Sequence, residues 1–403
     1  MNLPAAIVAG QAETMLMSHL ILASAGQPGM IDRVKSFIDA LCAPEYYVPL
    51  SCLVLTIGLV TYKSWTKPKV ALVLFLAFTA FYGISAIDED FQKIIKKPDN
   101  VPITMMIYLT GFCTWLGFRQ AAINDERMKR GEPLIESGAD DKVLVWPDLV
   151  YTELIALVLC TVFLVVWAII LKAPLEPPAN PTNIPNPSKA PWYFLGLQEL
   201  LVYFDPWIAG VLLPGLIIVG LIALPYIDKN PRGNGYYTFK ERPFVISIYM
   251  FGFIILWCVL IVLGTFLRGP NWNLFGPYET WDPHRPAALL NINVSDVFWV
   301  VIPEKLAVSW WKPGLPTEGF LGLPAYLIRE APGLVLCGAY FFVLPVFLAK
   351  TVFKRIYGEI GFIRYCVFWL LMSWMFIVPI KMVLRWLFNM RYFGAITERF
   401  FDL

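Results

Sequence analysis

Long apolar runs separated by shorter polar stretches set the pattern of this chain. Eight of them read as membrane spans: Tyr46–Tyr62, Val70–Ile87, Ile103–Phe118, Leu149–Leu171, Trp207–Ile227, Phe244–Leu267, Leu334–Leu348 and Tyr365–Val383. The hydrocarbon core of a bilayer is roughly 30 Å thick, so a crossing helix needs ~20 apolar residues. The first and third runs fall short of that length, which predicts tilt or partial burial there. Lipid offers the backbone no hydrogen-bond partners, and no run alternates as a barrel strand does, so each predicts a helix. The expected fold is an all-α, polytopic transmembrane helical bundle of about eight spans. Residues Leu3–Leu22 are apolar too, yet carry Gln11, Glu13 and His19. They predict an interfacial helix or a ninth span. Ala23-Ser24-Ala25 has the composition of a signal-cleavage site, but no Lys or Arg precedes Arg33, so a retained helix is favoured.

The polar stretches suggest boundaries. Residues 1–45 form an apolar or interfacial segment, 46–118 a three-span unit, and 119–146 a charged linker. Residues 147–267 form a second three-span unit, 268–333 a long loop, and 334–403 a two-span unit. Eight spans send alternate loops to opposite sides. One set is compact and basic: Lys63, Lys67 and Lys69; Arg119, Arg127, Lys129 and Arg130; Lys229, Arg232, Lys240 and Arg242; Lys350, Lys354, Arg355 and Arg364. Clustered basic residues in short loops mark the cytoplasmic side. The loops after Leu171 and Leu267 are then expected on the opposite, outer side of a bacterial inner membrane.

Composition narrows the chemistry. With 58% hydrophobic residues, 15% charged residues and a mean hydropathy of +0.62, the chain lies outside the soluble class. A net charge of +2 gives no reason to expect nucleic acid as a partner. The seven cysteines include no C-x-x-C and no C-x-x-C-H, which predicts reduced apolar side chains and no covalent c-type haem. A bis-histidine b-type haem needs two histidines facing each other. The chain has only His19 and His284, so no haem ligands and no metal site are expected on it.

The most informative stretch is Ala173–Pro206, APLEPPANPTNIPNPSKAPWYFLGLQELLVYFDP. Its prolines fix φ and remove backbone donors, which favours an extended wall with little ordering entropy. It ends in Ala190-Pro191-Trp192-Tyr193 and continues into a short apolar segment with Gln198 and Glu199. The stretch resembles the ef loop of cytochrome b, in the form of subunit IV of quinol–cytochrome complexes. The resemblance runs from Trp146-Pro147-Asp148 to about Leu267.

It implies a membrane subunit of a quinol:cytochrome c oxidoreductase that forms part of an outer quinol-oxidation pocket. Pro191, Trp192, Tyr193, Phe194 and Leu195 would line that pocket. A quinol of the menaquinol or ubiquinol type would be the substrate. A haem-bearing cytochrome b subunit, a Rieske iron–sulfur protein, a cytochrome c-type acceptor and lipids would be the partners. The b-type haem and iron–sulfur cluster would sit on those partner subunits, and no active site would be complete on this chain alone. In the family motif Pro-Glu-Trp-Tyr the Glu is taken to accept a quinol proton; here that position holds Pro191.

Glu199 is the nearest acidic substitute. On a helix starting near Tyr193 it shares a face with Leu195, Val202 and Tyr203, where partial desolvation would raise its pKa. Capping at the interface is its alternative role. Tyr193 is expected to bond the quinol head group or to orient the acceptor. Asp205 beside Pro206 reads as a helix start, and Glu153 as an acidic group at a helix amino end. Lys381 and Arg385 read as snorkelling side chains. The tryptophan-rich Arg268–Gly333 loop predicts either a docking surface or a self-packed cap. Two rival functions stand: a non-catalytic assembly subunit of the same complex, and a secondary transporter, which paired repeats and mid-span polar residues would mark.

Overall fold

The computed structural model describes residues 29–98, 100–138, 142–171, 178, 180–182, 185–232, 236–286, 291–306, 323–396 and 401–402. The expectations for residues 1–28, including His19, and for the parts of Ala173–Pro206 and Arg268–Gly333 between these ranges lie outside them. The main helices are α1 (Met30–Leu41), α2 (Pro44–Val60), α3 (Pro68–Ser85), α4 (Glu89–Ile95), α5 (Asn100–Lys129) and α6 (Val145–Ile170). They continue with α7 (Leu195–Leu200), α8 (Ile208–Ile227), α9 (Pro243–Leu267), α10 (Tyr326–Lys350), α11 (Lys354–Ile360) and α12 (Phe362–Phe388). Seven of them (α3, α5, α6, α8, α9, α10 and α12) are long and apolar enough to cross a membrane. α1 and α2 meet at 79° and make an eighth candidate between them. The fold is all-α. Its β-structure among the described residues is slight: Ala395–Ile396 pairs with Phe401–Asp402, and two isolated bridges occur.

Local chemistry explains where these helices begin and end. Pro44, Pro68 and Pro243 open α2, α3 and α9 at positions where a missing N–H costs nothing. The Asp88 carboxylate accepts from the Asp90 and Phe91 amides and caps α4. Gly361, at φ +77°, precedes α12, and Asn389 ends it in the left-handed region at φ 51°.

Two sets of loops meet at opposite ends of the bundle. At one end α5 continues through the polar stretch after residue 118 to Lys129. There Asp125 is fully buried and accepts from the Tyr62 hydroxyl (2.6 Å) and from the Phe239 and Lys240 amides. Asn124 donates to Glu136 (2.7 Å) and to the Tyr237 carbonyl (3.0 Å). The first three-span region is thus stitched to the loop between α8 and α9.

At the other end the described part of the long loop folds back on the chain. Tyr278 stacks on Phe91, its amide donates to Asp39 (3.0 Å), and Thr280 donates to Asp90 (2.8 Å). This portion is a self-packed cap.

The core sits toward this capped end. Val48, Leu200, Tyr203, Phe204, Ile208, Leu260, Leu263, Ile377 and Met382 bring α2, α7, α8, α9 and α12 together. α6 contributes nothing to it: every residue from Tyr151 to Leu171 is exposed. Lys381 departs from the snorkelling expectation. It is 3% exposed, with its ammonium 4.6 Å from the Phe204 ring centroid, 5.3 Å from Tyr392 and 5.6 Å from Phe393. The tail after α12 folds over it, since the Ile292 amide donates to the Asn389 carbonyl and the Arg391 amide donates to the Ile292 carbonyl, and aromatic faces line the ammonium.

Candidate functional site

The described part of the proline-rich segment becomes a short surface loop, a helical turn at Trp192–Phe194 and then α7. Three groups of contacts fasten it. Gln198 accepts from the Ala190 amide (2.8 Å) and donates to the Ser188 carbonyl (2.9 Å), which folds the loop onto α7. Lys189 Nζ donates to the Thr265 carbonyl in the last turn of α9 (2.8 Å) and lies 5.1 Å from the Trp281 ring centroid. Helix ends leave carbonyls without helical partners and carry partial negative charge, so a cation is well placed there. Leu195, 3% exposed, packs on Gly264, where an added Cβ would stand 3.2 Å from the Leu195 carbonyl oxygen.

Under this loop lies a buried ion pair. Arg268, immediately after α9, donates from Nε to Glu199 Oε2 (2.9 Å) and from Nη2 to Oε1 (2.6 Å). Its Nη1 donates to the Trp272 carbonyl (2.7 Å). The Tyr203 hydroxyl donates to Glu199 Oε1 (3.0 Å). Glu199 is 0% exposed and Arg268 is 6% exposed. A bidentate guanidinium–carboxylate pair with a further donor satisfies the buried charge geometrically and electrostatically.

The residues singled out from sequence divide between two surfaces. Glu199 lies inside with Leu195 and Tyr203, on the face they were expected to share. Pro191, Tyr193 (45% exposed) and Phe194 (49% exposed) face outward, with Trp192 half-buried between them. Tyr193 packs edge-on to Trp192 and against Phe194 at 4.6 Å between centroids. The structure therefore brings the aromatic wall together but sets Glu199 behind it. Asp205 accepts the Ile208 and Ala209 amides on its backbone carbonyl, at the start of the helix leading into α8.

Sequence reading missed Arg268 and Lys189. Arg268 is the first charge after a long apolar run, and Lys189 is the cation in the Ser-Lys-Ala-Pro-Trp string. Nothing in their spacing says what they pair with. Burial lowers the Lys189 amine to about 7, helped by the positive charges of Lys97 and Arg268 and opposed by Glu199. His284 is exposed, its amide bonded to Asp282, and among the described residues no cluster of ligating side chains could hold a metal ion.

A helical membrane protein whose proline-rich, aromatic loop is pinned to a span end by a buried ion pair is the class that fold and site define. Within it, residues 178–281 match the family described as cytochrome b(C-terminal)/b6/petD. This is the family that the loop resembles, and the matched stretch holds the aromatic turn, Glu199 and Arg268. The chain thus has a stretch similar to the carboxyl-terminal part of cytochrome b, set in a multi-pass membrane fold. No solved structure matches the chain.

Proposed function

We propose that this chain is a membrane subunit of a quinol:cytochrome c oxidoreductase and supplies one wall of its quinol-oxidation pocket. The observation that carries the proposal is the outward-facing Trp192-Tyr193-Phe194 turn, held rigid from behind and lying inside the family match. An exposed aromatic face on a fixed backbone suits a flat apolar head group, and the Tyr193 hydroxyl can donate to a quinol oxygen. Pro191 and Leu195 flank that face.

The chain does not complete the site. A haem-bearing cytochrome b subunit would close the pocket, a Rieske iron–sulfur protein and a cytochrome c-type acceptor would take the electrons, and lipids would fill the remaining surface. The substrate would be of the menaquinol or ubiquinol type. The b-type haem and the iron–sulfur cluster belong to the partners in this proposal. The pocket would face the outer side of a bacterial inner membrane, as the basic loops favour.

Glu199 enters the proposal in a different role from a free base. Arg268 and Tyr203 occupy its carboxylate, so it holds the wall in place.

Purification under mild detergent tests the proposal. The expected result is co-isolation with b-type haem, an iron–sulfur protein and quinol turnover. Within that complex Tyr193→Ala is expected to weaken a quinol-pocket inhibitor at least tenfold at unchanged haem content. Inhibitor binding unchanged in Tyr193→Ala would leave only the assembly role. A haem-free homo-oligomer would favour the transporter.

A further inference from the structure

The side chains of α1 sort by chemistry into three faces. At 3.6 residues per turn, Met30, Ile31, Val34, Phe37, Ile38 and Leu41 fall on one apolar arc. Lys35 and Asp39, one turn apart, share a second face; Arg33, Ser36 and Ala40 share a third. The second face is fastened to the rest of the molecule. Lys35 pairs with Asp88, the cap of α4 (2.6 Å), and Asp39 accepts from the Tyr278 amide (3.0 Å). Gly276 comes so close that an added Cβ would overlap the Asp39 carboxylate. On the apolar arc, by contrast, Met30, Ile31, Val34 and Phe37 are all exposed.

The direction of α1 decides what that arc meets. α2 crosses the bundle: Val48 near its start joins the core at the capped end, and just past its other end Tyr62 bonds to Asp125. Its 17 residues rise about 25 Å, close to the thickness of a hydrocarbon core. α1 meets α2 at 79°, so it runs roughly along the membrane plane where α2 reaches the surface. α2 itself leaves an apolar stripe exposed, Tyr46, Leu50, Leu53, Val54 and Ile57, so apolar surface continues through the bend.

We propose that α1 is an interfacial membrane helix that seats the cap on the bilayer surface. Its apolar arc enters the boundary between phospholipid head groups and acyl chains, its Lys35–Asp39 face holds the cap, and its third face meets water. Arg33 borders the apolar arc, where a guanidinium can reach head-group phosphates while its stem stays in the apolar layer. The arc offers no hydrogen-bonding side chain, which suits acyl chains better than a protein interface with its usual hydrogen bonds. α1 seats the cap in this way whether or not the chain handles quinol.

Photocrosslinking in the native membrane tests the contact. The photoreactive residue p-benzoylphenylalanine is placed at Val34, Phe37 or Ser36 of the full chain, all exposed positions, and adducts are identified by mass spectrometry. Phospholipid adducts are expected at Val34 and Phe37, and none at Ser36 on the water face. A protein adduct at Val34 or Phe37, whether to another subunit, a second copy or another segment of this chain, would overturn the proposal. Lipid yields at those positions no higher than at Ser36 would overturn it as well. Hydrogen exchange at the Tyr278 amide reads the seating of the cap. Phe37→Asp, which sets a charge into the arc, should speed that exchange severalfold; exchange at the parental rate would sink the cap-seating role.

Discussion

At the residue scale, the decisive contact is Glu199 with Arg268. Desolvating either charge alone costs several kcal/mol, so each residue is tolerable in the core only because the other is there. The geometry is favourable: two parallel N–H···O bonds, a tyrosine hydroxyl on the same carboxylate, and a backbone carbonyl on the remaining guanidinium nitrogen. Removing one partner leaves the other buried and unpaired, which typically costs about 3–5 kcal/mol. Arg268→Ala and Glu199→Gln should both lower the thermal unfolding midpoint of the solubilised protein. The double variant Glu199→Leu with Arg268→Met should recover most of that loss, because apolar replacement of a buried pair is often neutral. A parental midpoint in Arg268→Ala would show that the pair is not holding the loop.

At the element scale, the position of the wall depends on how closely α7 approaches α9. Two glycines allow it. Gly264 meets the Leu195 carbonyl, and a Cβ at Gly196 would stand 3.4 Å from the Ile261 side chain. Gly264→Ala asks Leu195 to give by a few tenths of an ångström; Gly264→Leu does not fit without moving α7. Overpacking of this kind costs about 1–3 kcal/mol. Gly264→Leu should therefore lower both the unfolding midpoint and inhibitor affinity. Gly215→Ala, where an added Cβ meets nothing within 4 Å, should change neither. Equal behaviour of the two variants would remove the close approach as the cause of the loop's position.

At the scale of the whole molecule, the two ends of the bundle are built differently. One end is a network of buried side-chain amides and carboxylates around Asn124 and Asp125, tying together loops rich in Lys and Arg. The other is an aromatic cap in which Tyr278, Trp281 and the segment after α12 close over the core. In the proposed orientation the first end faces the cytoplasm, the side that basic loops favour. A single cysteine introduced at Thr182, an exposed loop residue, should react in intact cells with an impermeant thiol reagent. Reaction only in inverted vesicles would reverse the orientation.

Much of this could be read from the chain alone, because membrane helices obey a length and polarity rule that needs no tertiary context. Seven predicted spans match single helices of span length, and the eighth lies within the bent α1–α2 pair. The proline-rich loop with its Trp-Tyr-Phe turn was legible for a similar reason, since proline spacing and local composition act over a few residues. The shared face of Leu195, Glu199 and Tyr203 followed from helical periodicity. What the chain could not show was pairing over distance. Glu199 and Arg268 lie 69 positions apart, Lys189 finds a carbonyl in another helix, and Lys381 is caged by three rings from two places in the sequence. Only the packed bundle decides that Glu199 faces a guanidinium and that Lys381 is buried. A side chain's charge environment is set by whatever the fold brings against it, and periodicity reports only which way the side chain points.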